Sequence, residues 1–148
     1  MSGRAGKVLA VVVGVLVLLA VVAGVISATR ERPELPAGSP EATVQDYVTL
    51  IYDDDLEGAA ELLDPDGSCT VEDLDLAFVD QAARVVLRDT SVDGDRATVR
   101  VGLVHPSGSP LGDEFTQDET FRLVRSPDGW VITGDPWPVY GCGKEPHP

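Results

Sequence analysis

The sequence predicts an α+β protein: an N-terminal transmembrane helix, then three helices packed on a curved four-stranded antiparallel sheet. Three observations predict it. The run Val8–Ser27 carries no charge, and about 20 residues at 1.5 Å rise cover roughly 30 Å, the hydrocarbon thickness of a bilayer. From Pro40 to Ala77, apolar residues recur at helical spacing. From Ala83 to Gly134 they alternate, with turn residues between the alternating stretches. The chain accordingly divides into a cytoplasmic tail and anchor over 1–28, a linker over 29–39, and an extracytoplasmic domain with its C-terminal tail over 40–148.

Arg4 and Lys7 precede the apolar run, and Arg30 and Arg32 follow it, so flanking charge alone barely orients it. The short N-terminal tail and the cysteine pair favour N-in with the domain outside. Secretion after signal cleavage near Ala28 is the competing reading, since Ile26-Ser27-Ala28 ends on a small residue. The apolar run, however, exceeds the usual 7–15-residue signal core. Within the run, Ala10, Gly14, Val17, Val21, Gly24 and Ala28 form a stripe of small and β-branched residues, along which two membrane helices of a homodimer could approach.

Of 148 residues, the part outside the anchor and linker suffices for one modest domain. Net charge is -14, and from Pro36 onward seven Lys/Arg face 23 Asp/Glu. Such a domain is repelled by nucleic-acid phosphates and by anionic headgroups, so no nucleic-acid partner is expected. Its two cysteines, Cys69 and Cys142, are too few for a Cys-only zinc site and do not form a CxxC motif. In an exported domain they are expected to form one disulfide.

Ser39 and Pro40 open the first domain helix as N-cap and first helical residue. Val44, Tyr47, Val48 and Ile51 form its core stripe, and Asp53-Asp54-Asp55 ends it. Asp55 caps a second helix over Leu56–Leu63, closed by Asp64-Pro65-Asp66-Gly67. Thr70 caps a third over Val71–Ala77. Val85 and Leu87, then Ala97, Val99, Val101 and Leu103, alternate as a half-buried hairpin. A three-residue loop with Gly94 left-handed would set Leu87 opposite Val99 and Val85 opposite Val101, keeping the apolar faces together. A third strand spans about Glu114 to Arg125, with Phe115, Phe121 and Leu123 on one face. Ser126-Pro127-Asp128-Gly129 turns the chain into a fourth strand, Trp130–Gly134, whose register the pattern leaves open.

The opening Ser39-Pro40-Glu41-Ala42-Thr43-Val44 with Tyr47, the short helix Leu56–Leu63 and the closing Pro127-Asp128-Gly129-Trp130-Val131-Ile132 resemble the NTF2-like, cystatin-like cone superfamily. More closely, they resemble its small membrane-anchored or exported members in high-GC Gram-positive bacteria. The resemblance implies a sheet wrapped around the helices. It also implies, as an alternative function, a ketosteroid-isomerase-like or hydratase-like enzyme with an apolar cone pocket.

Tyr47, Ile51, Val101, Leu103 and His105 are the candidates for such a pocket, with Tyr47 and His105 as its only groups able to exchange protons. No catalytic residue, metal site or cofactor is assigned. His105 and His147 lack a third ligand at zinc spacing, and Asp53–Asp55 lack the glycine and late glutamate of a calcium loop. The leading expectation is a membrane-anchored, non-catalytic domain that binds a protein, an envelope component or a small apolar ligand.

Overall fold

The computed structural model describes residues 3–28, 34–108 and 112–143 and separates into two compact units, Met1–Glu34 and Leu35–Pro148. In the first unit, helix α1 runs Gly3–Ala28. Large apolar side chains from Val8 to Leu19 are exposed along it, and the side chains of 21–28 lie outside the described residues. Among the described residues no helix is long and apolar enough to cross a membrane, so the expected transmembrane helix is not found. The described side chains of the apolar run stop at Ala20, short of a span, and Val21, Gly24 and Ala28 of the small-residue stripe fall beyond them. Residues 29–33 of the linker and His147 also lie outside the described residues.

The second unit is α+β. Helices α2 (Pro40–Tyr52), α3 (Leu56–Glu61) and α4 (Val71–Asp75) precede strands β1 (Arg84–Asp93), β2 (Arg96–His105), β3 (Phe115–Ser126) and β4 (Gly129–Thr133). All neighbouring strands are antiparallel, in the order β1-β2-β3-β4.

The caps act as the residue types demand. Ser39 Oγ accepts from Ala42 N at 3.2 Å, and Pro40 needs no partner for a missing N–H. Asp55 Oδ1 accepts from Gly58 N at 3.0 Å. At α4, the Asp73 carboxylate accepts from both Thr70 N and Thr70 Oγ1. Helix α3 stops at Glu61, earlier than the expected Leu63, because the backbone is diverted into the sheet. Ile132 N donates to Leu62 O, and Asp64 N donates to Ile132 O, so Leu63 bridges β4 in parallel and covers its edge. Helix α4 likewise ends at Asp75, before the expected Ala77.

The β1–β2 register corrects the sequence expectation. Two residues, Gly94 and Asp95, close the turn between Asp93 and Arg96, with Gly94 at φ +58°. That register alone would put Val85 and Leu87 on the wrong face. A β-bulge between Leu87 and Asp89 leaves Arg88 unpaired and resets the pairing to Leu87 with Val101 and Val85 with Leu103. The sequence pattern requires matched apolar faces, and the chain meets that requirement with a bulge where a longer loop was expected. Arg88 lies across Gly102, where an added Cβ would come within 2.7 Å of its Nε. As an edge strand, β1 is also less buried than expected, with Leu87 43 % exposed.

Val44, Tyr47, Val48 and Ile51 of α2 pack with Val99, Val101, Leu103, Phe121, Leu123 and Ile132 in one core. Trp137 and Val139, from the segment after β4, belong to it too. Cys69 and Cys142 are joined, with Cα atoms 4.6 Å apart, and hold that segment to the loop before α4. Phe115, expected inside with Phe121, is exposed and stacks on His105, its pairing partner at the end of β2.

Candidate functional site

Where β2 and β3 run past α2, the inner face of the sheet changes character. Leu103 pairs with Gln117, and Val101 with Glu119, so β3 presents polar groups on the face that carries Phe121 and Leu123 two and four residues later. The chain after β4 then crosses this end. Tyr140 Oη donates to Glu119 Oε1 at 2.6 Å and accepts from Gln117 Nε2 at 2.9 Å. Gln117 Nε2 also donates to the same Glu119 oxygen. This closed triangle ties the C-terminal segment to the sheet.

On the opposite side, the turn at Asp80 is shaped by its own carboxylate. Oδ1 accepts from Ala82 N at 3.0 Å, and Oδ2 lies 2.7 Å from His105 Nδ1. Tyr52 Oη reaches the carbonyls of Asp80 and Ala83 at 3.4 and 3.2 Å, while its ring stacks on Trp137. The imidazole of His105 stacks on Phe115 with centroids 5.9 Å apart.

Between these two clusters lies a half-open cavity of about 650 Å³. Leu103, Ala77, Trp137 and Val139 supply apolar walls, and Asp73, Asp80, His105, Gln117 and Tyr140 supply polar groups. Leu76 and Phe78 stand at it with 80 % and 87 % of their surface exposed.

Electrostatics follow from these contacts. The hydrogen bond from His105, then that from Ala82 N, holds the Asp80 carboxyl below the usual carboxylate range. Asp73 is lowered chiefly by the Thr70 backbone N–H. Burial, then the bond to Glu119, pushes the Tyr140 phenol up to about 12. Burial raises Tyr52, with the Asp80 charge adding to it, and burial alone raises Tyr47 further still.

All three tyrosines of the chain are therefore shifted upward. In the folded protein, absorbance at 295 nm is expected to report well under half tyrosinate at pH 10, where a free phenol is about half ionised. In guanidinium the midpoint should return to about 10. A raised folded-state pKa contributes stability that is present below the unfolded value and lost as pH rises through the folded one, so the fold should weaken above about pH 10.

Of the residues expected to form a pocket, Leu103 and His105 line this cavity. Tyr47, Ile51 and Val101 do not. Val101 is packed in the core, and Ile51 borders a separate cavity of about 180 Å³ beside Asp54 and Leu56. Tyr47 is fully buried edge-on to Phe121, and among the described residues its Oη has no hydrogen-bond partner. An unpaired buried hydroxyl costs about 1–3 kcal/mol. Tyr47→Phe is accordingly expected to raise stability by about 1 kcal/mol, seen as a higher denaturant midpoint at unchanged slope.

Sequence reasoning missed Asp80, Gln117, Glu119 and Tyr140. For Gln117 and Glu119 a signal was present: both share the odd-numbered parity of Phe115, Phe121 and Leu123, so two polar side chains stood on an apolar face. For Asp80 and Tyr140, which sit in irregular segments, no periodicity applied.

Cys69, Cys142 and Asp135 bring three ligand atoms within 4.8 Å of one another. The sulfurs are bonded to each other, and Asp135 Oδ1 accepts from Cys142 N at 3.1 Å. The carboxylate thus secures the disulfide-bearing turn and does not complete a metal site.

No family model matches the chain, and no curated protein matches it. Solved structures that show partial likeness include the following two. One is a SEC-C motif containing protein from Rhodopseudomonas palustris, with TM-score 0.46 and 21 % identity over 68 % of this chain and 79 % of that one. The other is a function unknown protein from Mycobacterium tuberculosis, with TM-score 0.44 and 22 % identity over 66 % of this chain and 74 % of that one. Likeness at this level carries no functional argument. The expected NTF2-like membership is corrected: no family model supports it, neither neighbour is described as NTF2-like, and the sequence features that suggested it mark only a helix start, a short helix and a turn.

Proposed function

We propose that the C-terminal unit is a non-catalytic binding domain that takes a small, partly apolar ligand in the cavity between His105 and Tyr140. One observation carries this reading. The interior around Tyr47 and Phe121 is filled, whereas the end of the sheet holds an open cavity of about 650 Å³ with apolar walls and a few converging polar groups. That combination is the usual form of a small-molecule site. Exposed Leu76 and Phe78 add apolar surface for a ligand to cover.

The uncharged run Val8–Ser27, whose large apolar side chains are exposed from Val8 to Leu19, supports a membrane tether that holds the domain outside the cytoplasm. The Cys69–Cys142 bond suits such an oxidising location. Protease treatment of intact protoplasts should remove the domain, and full protection would contradict the orientation.

The binding reading is tested by a fragment screen on the isotopically labelled full-length protein. Apolar fragments with one polar group should shift the resonances of Leu103, His105 and Gln117 together. Shifts confined to other surfaces, or none, would refute it.

A second reading rests on the His105–Asp80 contact. A carboxylate on Nδ1 fixes the imidazole tautomer and leaves Nε2 as the nitrogen available to a ligand, as in hydratase-like proton transfer. Hydration or isomerisation of a bound unsaturated ligand, abolished in His105→Gln, would favour it over simple binding.

A further inference from the structure

We infer that the cavity between His105 and Tyr140 selects an alkylated ammonium ion carrying an apolar body. The inference rests on the binding reading above and adds the ligand's charge and class. Two carboxylates, Asp73 and Asp80, line the cavity, and its described lining residues include no lysine or arginine. Asp80 is matched to His105 at 2.7 Å, so it offsets any positive charge on the imidazole. Among the described residues Asp73 meets hydrogen-bond donors without charge, Thr70 and Gly143 N, and no cationic side chain. The surrounding chain is strongly acidic, which concentrates cations at its surface.

The hydrogen-bonding geometry narrows the class. Both Asp80 oxygens are engaged, by Ala82 N and His105, and both Asp73 oxygens by Thr70 and Gly143. Glu119, beside Tyr140, accepts from Tyr140 and Gln117. A primary ammonium needs acceptors for three N–H groups, and each of these carboxylates already accepts two or three hydrogen bonds from the protein, which leaves fewer sites for them. An alkylated ammonium has few or no N–H groups. It is held by charge at longer range and by aromatic side chains, of which Phe78, Trp137 and Tyr140 line the cavity. The exposed side chains of Leu76 and Phe78 then cover the apolar body.

The test is calorimetric titration of the full-length protein in non-ionic maltoside micelles with benzyltrimethylammonium, benzyl alcohol and benzoate. Benzyltrimethylammonium should bind at least about fivefold more tightly than benzyl alcohol, with benzoate weakest. Phe78→Ala, a change at an exposed side chain that leaves the core intact, should weaken the cation at least about threefold. Asp73→Asn should bring the cation's affinity down toward that of the alcohol. If the alcohol or benzoate binds as well as the cation, or the cation binds equally well to Phe78→Ala and Asp73→Asn, the ammonium assignment is wrong while a small-ligand site stands. If none of the three binds, both the assignment and the binding reading fall.

Discussion

Reduction of the Cys69–Cys142 bond is expected to cost the domain about 4 kcal/mol. The cysteines are 73 residues apart in sequence, and closing a loop of that length restricts the unfolded chain by roughly 4.4 kcal/mol in the chain-entropy description. A domain of this size has about 5–15 kcal/mol in all, so the reduced form should lie near its folding threshold at physiological temperature. Local architecture adds to the effect. The chain from Asp135 to Gly143 has no regular strand or helix, yet it contributes Trp137 and Val139 to the core and Tyr140 to the cavity. Without the bond, it is held at its far end by Asp135 on Cys142 N and Asp73 on Gly143 N, both near the surface. The measurement is urea unfolding with and without reductant, and of Cys69→Ser with Cys142→Ser. A shift below about 1 kcal/mol would show that the packing of Trp137 and Val139 and the Tyr140 hydrogen bonds retain the segment.

Phe121→Ala should destabilise the domain by about 3–5 kcal/mol, in the range of large-to-small core changes involving aromatic residues. Phe121 is 1 % exposed, pairs with Val99 across the sheet and packs edge-to-face with the Tyr47 ring, centroids 5.9 Å apart. Its removal opens a void at the contact between α2 and the sheet. Tyr47 cannot fill that void without swinging its already unpartnered hydroxyl into apolar surroundings. Chemical unfolding of Phe121→Ala alongside Tyr47→Phe separates the two contributions. The first variant should lose stability and the second gain it, and a large loss in Tyr47→Phe would mean that the hydroxyl has a partner after all.

The two outcomes bear on what the sequence made legible. Helical spacing at Val44, Tyr47, Val48 and Ile51 identified one buried face, because a 3.6-residue repeat leaves a helix a single way to hide those side chains. Ser39, Pro40 and Asp55 marked helix starts for equally local reasons. The β1–β2 register was not local. It depends on a bulge six residues from the turn, and alternation cannot distinguish a longer loop from a shorter loop with a bulge. The site was the least legible part. Leu103 and His105 were found because they end an alternating strand. Asp80 and Tyr140 reach the cavity through turns whose course is set by tertiary contacts, including those of Tyr52 with the Asp80 turn and Trp137. A pocket centred on Tyr47 was excluded only by packing, since an inward phenol reads the same whether it faces a void or a phenylalanine.

The unpaired Arg88 gives the hairpin an unusual tolerance to length change. Loss of one residue inside a strand normally reverses the facing of everything beyond it. Here Leu87 already stands opposite Val101, and Asp89 opposite Arg100, as two successive pairs of an uninterrupted ladder would. Excising Arg88 would therefore join two segments that are in phase, and no other side chain of β1 would change sides. Excision of Thr90 or Ser91 would instead rotate polar residues toward the core face. Position 88 is the place at which this hairpin can gain or shed a residue across divergent sequences, at the cost of the cover over Gly102 and the contact with Asp118.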